Sequence, residues 1–111
     1  MCIRDSRYPF DEEKFREGAK VIMDHGHNPF PGHGAAVSSS PHRKDRLKEI
    51  SLPTLVIHGT EAAILPLDHG QALADGIPNA KLMVLEGAGH EIPEQMNEEI
   101  TSRMIEHFNS I

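Results

Sequence analysis

The stretch "LPTLVIHGTEAAILP", residues 52–66, contains the pattern that decides the fold. Its apolar, β-branched run over 54–58 ends at Gly59, a profile typical of a strand that is covered on both faces. A second apolar run, "KLMVL" at 81–85, leads into another glycine-containing turn. The two runs predict two strands of one sheet.

A helical pattern follows each predicted strand. Residues 67–75 form the first helix, which is entered through Pro66 and ends at Gly76. Residues 93–108 form the closing helix. Its apolar stripe consists of Met96, Ile100, Met104, Ile105 and Phe108. The order strand, helix, strand, helix predicts an α/β fold with a parallel pair, whose outer edges need neighbouring strands that this sequence does not supply.

The N-terminal half reads as mainly helical. Asp11 is a good N-cap for a helix that extends to about Met23, and Phe10 and Phe15 have the spacing of a hydrophobic staple. The prolines and glycines of residues 28–41 indicate a loop followed by at most two helical turns. Residues 43–49 predict a short charged helix or turn before the first strand.

The opening residues 1–6, "MCIRDS", differ from their surroundings and resemble translated sequencing-adapter read-through. We therefore treat them as a non-native start and leave them out of the fold prediction. The single cysteine, Cys2, cannot form an internal disulfide, which fits a reducing, cytoplasmic location. A position in a frayed terminus makes it a poor candidate nucleophile.

Composition excludes several functions. The formal net charge is -6 and no basic patch is present, so we expect no nucleic-acid partner. No apolar run approaches the roughly 20 residues of a membrane span, so we expect no membrane contact. The oligomeric state is left open by the sequence.

The loop "GAGHEIP", residues 87–93, places His90 after two glycines at the carboxyl end of a predicted strand. Ligand-binding and catalytic residues commonly lie at that end of an open α/β sheet. A histidine suits it because its ordinary pKa, near 6.5, lets the ring accept and return a proton near neutrality. Spacing alone also allows an ordinary surface-loop histidine, one of eight in the chain.

Two long stretches resemble a known family. Residues 52–93, "LPTLVIHGTEAAILPLDHGQALADGIPNAKLMVLEGAGHEIP", resemble the C-terminal end of an α/β-hydrolase. Residues 8–29, "YPFDEEKFREGAKVIMDHGHNP", resemble the end of the cap region in small-ester hydrolases of the aclacinomycin methylesterase type. The resemblance implies that residues 7–50 are the cap end and its connection to the core. It also implies that residues 51–111 are the last two strands and the closing helix of that core.

The resemblance implies a serine, an acid and a histidine that act together, in that chain order. His90 would be the general base toward the serine and then the general acid toward the leaving alcohol of a small carboxylic ester. No cofactor and no metal are implied. The chain has no G-x-S-x-G motif, and Ser38, Ser39 and Ser40 lack its glycines. We therefore expect the nucleophile before residue 1 and an inactive isolated chain.

The acid is a second departure from the family pattern. The family's Gly-x-x-Asp loop places it at Ala62, so Glu61, one residue earlier, is the candidate acid. Asp68 is better interpreted as a first-turn acid of the next helix, and an acid after an earlier strand is another alternative. Loss of the acid would also fit a non-catalytic pseudoenzyme or a binding module on the same fold.

The remaining histidines have weaker signals. The irregular spacing of four histidines in the Gly/Pro-rich stretch argues against a metal site there. The resemblance implies that these histidines line or cover the substrate pocket. These are His25, His27, His33 and His42. His58 is expected to be packed, and His69 and His107 are expected to face solvent.

Overall fold

The computed structural model describes residues 5–26 and 33–111. Two compact units emerge: Phe10–Arg43 is one, and Met1–Pro9 with Lys44–Ile111 is the other. The assignment of 7–50 to the end of a cap, like the non-native origin of 1–6, stays a prediction. The predictions that fall on Cys2, on His27 and on the loop from Asn28 lie outside the described residues.

The first unit is helical, as its capping signals predict. Helix α1, Glu12–Asp24, begins after Asp11, whose carboxylate accepts a hydrogen bond from the Lys14 backbone N–H at 3.0 Å. The rings of Phe10 and Phe15 pack with centroids 5.4 Å apart, which confirms the staple. Helix α2, His33–Ser39, is two turns long and ends before Pro41, as expected.

The second unit carries the α/β pattern. A 3-10 helix, Lys44–Glu49, leads to strand β1, Leu55–Gly59. Helix α3, Leu67–Gly76, and strand β2, Lys81–Leu85, follow. A second 3-10 helix, Glu94–Met96, leads directly into helix α4, Asn97–Asn109. The predicted closing helix is therefore divided, because its first turn has 3-10 geometry.

Strands β1 and β2 pair in parallel, with Leu55 opposite Lys81 and Gly59 opposite Leu85. The core packs between this sheet and the C-terminal helical segment. Its buried members are Met83, Leu85, Ala88, Met96 and Ile100. Because the strands run parallel and end in register, their following loops leave the same edge of the sheet.

The predicted coverage of both sheet faces is only partly met. Strand β1 is half-buried except at Gly59, and Val84 of β2 is 43% exposed. On the stripe of α4, Ile100 is buried whereas Ile105 and Phe108 are 53% and 63% exposed. Two strands with α3 and α4 beside them offer too little surface to cover these side chains.

His107 is buried, at 8% exposure, so the prediction that it faces solvent was wrong. It lies seven residues, or about two helical turns, after Ile100, and the two side chains therefore share the core side of α4. Its Nδ1 is buried and has no hydrogen-bond partner among the described residues. The helical period, rather than the polarity of the residue, decides its environment.

We expect His107→Leu to raise the free energy of unfolding by about 1 kcal/mol, because it removes a buried polar atom without a partner. Urea denaturation followed by circular dichroism measures the change. The matched control is His69→Leu on α3, where the side chain is 56% exposed; we expect it to change stability by less than about 0.5 kcal/mol. Destabilisation by His107→Leu alone would show that the imidazole is bonded.

Candidate active site

Two neighbouring loops build the candidate site. The acid loop, residues 60–66, follows β1, and the histidine loop, residues 86–93, follows β2. The Glu61 N–H donates to the Ala88 carbonyl at 2.9 Å, and the Gly87 N–H donates to Thr60 Oγ1, also at 2.9 Å. These hydrogen bonds tie the two loops together at the carboxyl ends of the strands.

Glycines permit this close approach. A Cβ at Gly59 would overlap the Ala88 carbonyl oxygen and lie 2.7 Å from the carbonyl oxygen of Gly89. Gly87 has a φ of +77°, in the left-handed region that side chains disfavour. The sequence pattern that suggested a sharp turn before His90 therefore has a steric basis.

His90 is exposed and comes directly after three buried residues of the histidine loop. Its backbone N–H donates to Asp5 Oδ2 at 3.0 Å. The imidazole is exposed, whereas the three residues before it are buried. Such an imidazole can exchange a proton with a group brought to the sheet edge. The structure thus places His90 where the sequence predicts it, and its catalytic role stays a prediction.

The carboxylate of the candidate acid Glu61 is paired with Arg7. This carboxylate accepts a hydrogen bond from the Arg7 guanidinium, which also lies 3.3 Å from the Glu86 carboxylate. Ala62 is 6% exposed. Asp68 is exposed at the start of α3, and its carboxylate lies 3.1 Å from the ring of His69. In the part of the chain that the structure describes, none of these carboxylates is hydrogen-bonded to His90.

The N-terminal segment 5–8, part of which the sequence prediction set aside, lies across both loops. Ser6 Oγ and the Arg7 N–H donate to the Gly87 carbonyl at 3.0 and 2.8 Å. Asp5 Oδ2 also accepts a weaker hydrogen bond from the Ala63 N–H, at 3.4 Å. No local sequence signal pointed to these contacts, because Asp5 and His90 are 85 positions apart.

The other candidate residues have structural roles. The hydroxyls of Ser38 and Ser40 donate to carbonyls four residues earlier, at 2.9 and 2.8 Å, and Ser39 donates to the carbonyl three residues earlier. Over 5–26 and 33–111 no group of three His, Cys, Asp or Glu side chains is arranged to hold a metal ion. Within the same ranges no helix is long and apolar enough to cross a membrane. His58 is half-buried and packs against Gly70 of α3.

Comparison with known proteins identifies the family. A family model of α/β-hydrolases, described as TAP-like protein, matches residues 27–110. The chain belongs to the TAP-like α/β-hydrolases. The match covers both strands, both loops and the helices α3 and α4.

The chain is also similar to individual proteins. The chain is 47% identical over 47 residues to the non-heme chloroperoxidase CPO-A1 of Kitasatospora aureofaciens, covering 41% of this chain and 17% of that protein. The structure of Est816, an N-acyl homoserine lactone degrading enzyme, matches with a TM-score of 0.55 and 34% identity, over 82% of this chain and 40% of that one.

The structure of Rv0554 from Mycobacterium tuberculosis matches with a TM-score of 0.71 and 23% identity, covering 96% of this chain and 40% of that one. This likeness concerns the fold alone. The TAP-like chain spans 16–17% of the length of the first curated relatives that it matches. The predicted α/β-hydrolase fold is thus confirmed, as a partial fold with two parallel strands, whereas the aclacinomycin methylesterase type stays a prediction.

We expect Gly59→Ala to lower the free energy of unfolding by about 2 kcal/mol, because its methyl group would overlap the Ala88 carbonyl. Amide hydrogen exchange at Glu61 should accelerate in this variant. The control is Gly18→Ala in α1, where a methyl group meets nothing within 4 Å; we expect this variant to be more stable by about 0.5–1 kcal/mol. Unchanged exchange at Glu61 in Gly59→Ala would contradict close packing of the two loops.

Proposed function

We propose that this chain is the histidine-bearing C-terminal part of a serine-type α/β-hydrolase that cleaves a small carboxylic ester. The observation that carries the proposal is the position of His90, which is exposed directly after three buried residues in a loop that is hydrogen-bonded to the acid loop. Family membership supports the hydrolase class. A cytoplasmic location is part of the proposal and rests on the single cysteine.

In the proposed reaction His90 accepts the proton of a serine hydroxyl supplied by the rest of the protein. The serine oxygen attacks the ester carbonyl, and His90 returns the proton to the departing alcohol, which leaves an acyl-enzyme. Water, deprotonated by the same imidazole, then releases the carboxylic acid and restores the serine. An exposed imidazole at the sheet edge can serve both half-reactions without changing position.

The choice of an ester rests on two supports. The first is the resemblance of residues 8–29 to the cap of small-ester hydrolases. The second is the likeness to Est816, which degrades an N-acyl homoserine lactone, since a lactone is a cyclic ester. The same fold hosts other chemistries, so the likeness supports the ester only together with the cap stretch.

The isolated 111-residue chain should neither hydrolyse p-nitrophenyl acetate above the buffer rate nor react with a fluorophosphonate probe. The reason is that it contains no G-x-S-x-G motif to activate a serine. Intact-mass spectrometry after probe treatment gives the answer. A stoichiometric adduct on Ser38, Ser39 or Ser40 would contradict the proposal that the nucleophile is supplied by another part of the protein.

A chimera tests the histidine and the acid directly. We would replace the equivalent C-terminal segment of Est816 with residues 51–111 and measure the degradation of an N-acyl homoserine lactone. Because Ala62 stands at the family's acid position and cannot orient an imidazole, we expect Ala62→Asp to raise turnover by on the order of 10²–10⁴. Glu61→Gln should leave turnover unchanged. The reverse pattern, loss with Glu61→Gln and no gain with Ala62→Asp, would assign the acid to Glu61.

The active chimera then reports on His90. His90→Gln in the Ala62→Asp chimera should reduce kcat by at least about 10³, with the fold retained, because the proposed mechanism transfers the serine proton to His90. His69→Gln on the exposed start of α3 is the matched control and should keep full turnover. Retained activity in His90→Gln would reject the catalytic role of this residue.

A non-catalytic role is the second candidate, and Ala62 is the observation that favours it. Alanine at the family's acid position can neither orient an imidazole nor stabilise its charged form. If the correctly folded chimera is inactive with both Ala62 and Ala62→Asp, the binding-module alternative is supported over the enzyme.

A further inference from the structure

The Asp5 carboxylate marks a place where the two loops meet. Its Oδ2 accepts hydrogen bonds from the backbone N–H groups of His90, at 3.0 Å, and Ala63, at 3.4 Å. One donor belongs to each loop, and the loops are held together by the bond from Glu61 to Ala88. Two converging amides aimed at one oxygen make a receptor for an anionic oxygen.

The second oxygen of the Asp5 carboxylate lies directly over Gly89, in a position that we call the slot. A Cβ at Gly89 would overlap Asp5 Oδ1 and would lie 2.9 Å from the Ser6 backbone nitrogen. Oδ1 is buried, and it has no hydrogen-bond partner in the described part of the chain. A side-chain atom on residue 89 and a carboxylate oxygen therefore cannot occupy the slot together.

The charges around the slot restrict its occupant further. The Glu61 and Glu86 carboxylates flank the segment and are both paired with the Arg7 guanidinium. Arg7 therefore offsets the repulsion that a bound anion would otherwise meet, and a second negative charge on the occupant would be unfavourable. These conditions favour a small monocarboxylate.

Asp5 itself is not needed to build the receptor. Both amides belong to the acid and histidine loops, whereas Asp5 lies in the segment whose sequence resembles a non-native start. Neighbouring contacts, from Ser6 and Arg7 to the Gly87 carbonyl, hold the segment over the loops independently of the Asp5 side chain. Removal of that side chain alone would leave the slot open and Arg7 in place.

We propose that the backbone amides of Ala63 and His90, with the slot over Gly89, form a carboxylate-binding subsite. The Asp5 side chain fills it in this chain, and a free small monocarboxylate fills it when that side chain is removed. This subsite does not rest on the catalytic role proposed for His90, because it uses the backbone N–H of that residue rather than the imidazole.

The test is a titration of the full chain and of Asp5→Ala with sodium formate, followed by ¹H–¹⁵N correlation spectra. In Asp5→Ala the amide signals of Ala63 and His90 should shift together and saturate at about 1–100 mM formate, as two hydrogen bonds to a small anion allow. In the unmodified chain, where Asp5 occupies the slot, the shifts should be at least tenfold smaller. Sodium chloride at equal concentration should shift neither signal.

A matched variant distinguishes formate binding in the slot from a non-specific effect of anions on the amide signals. Asp5→Ala combined with Gly89→Ala places a methyl group where Oδ1 lies, so formate should no longer shift the two amides. If Asp5→Ala is poorly folded, formate but not chloride should restore the dispersed spectrum. The proposal is overturned if the shifts do not saturate, if chloride reproduces them, or if the unmodified chain or the double variant responds like Asp5→Ala. If Asp5→Ala is poorly folded, the proposal is overturned when formate restores no more structure than chloride.

Discussion

The contact between the backbone of Gly59 and the carbonyl of Ala88 is the constraint on which the candidate site depends. No side-chain atom fits between these two groups, and the N–H of Glu61 bonds to the same carbonyl. Parallel pairing brings the two loops to one edge, but this contact fixes their separation. This contact between Gly59 and Ala88 therefore also determines the positions of His90 and of the Ala63 amide.

The candidate site combines His90, which we propose as the catalytic base, with an alanine at the position where the sequence resemblance predicts the acid. Ala62 is buried, and the carboxylate of Glu61 is paired with Arg7. The carboxylate that does reach the two loops belongs to Asp5, and it bonds to backbone amides rather than to an imidazole. The candidate position of the catalytic acid and the carboxylate-binding subsite are thus two separate features of the acid loop and the histidine loop.

Local signals in the sequence predicted most of the secondary structure. The Asp11 cap, the Phe10–Phe15 staple and both β-branched runs depend on neighbours a few positions away, so their outcome is encoded nearby. The prediction for His107 was wrong because its position two helical turns after Ile100 places it on the core side of α4. The exposed apolar side chains of α4 were not foreseen, because their coverage depends on surface from other elements.

By itself, the sequence determined the two parallel strands, their glycine-ended loops and the presence of His90 at the carboxyl end of the second strand. Strand propensity and glycine conformation act over a few residues, so both can be predicted from the local sequence. Only the tertiary structure decided that Arg7 pairs with Glu61 and that Asp5 lies against the amides of Ala63 and His90. These partners are more than 50 positions apart, and their contacts follow from the packing of one segment across two loops.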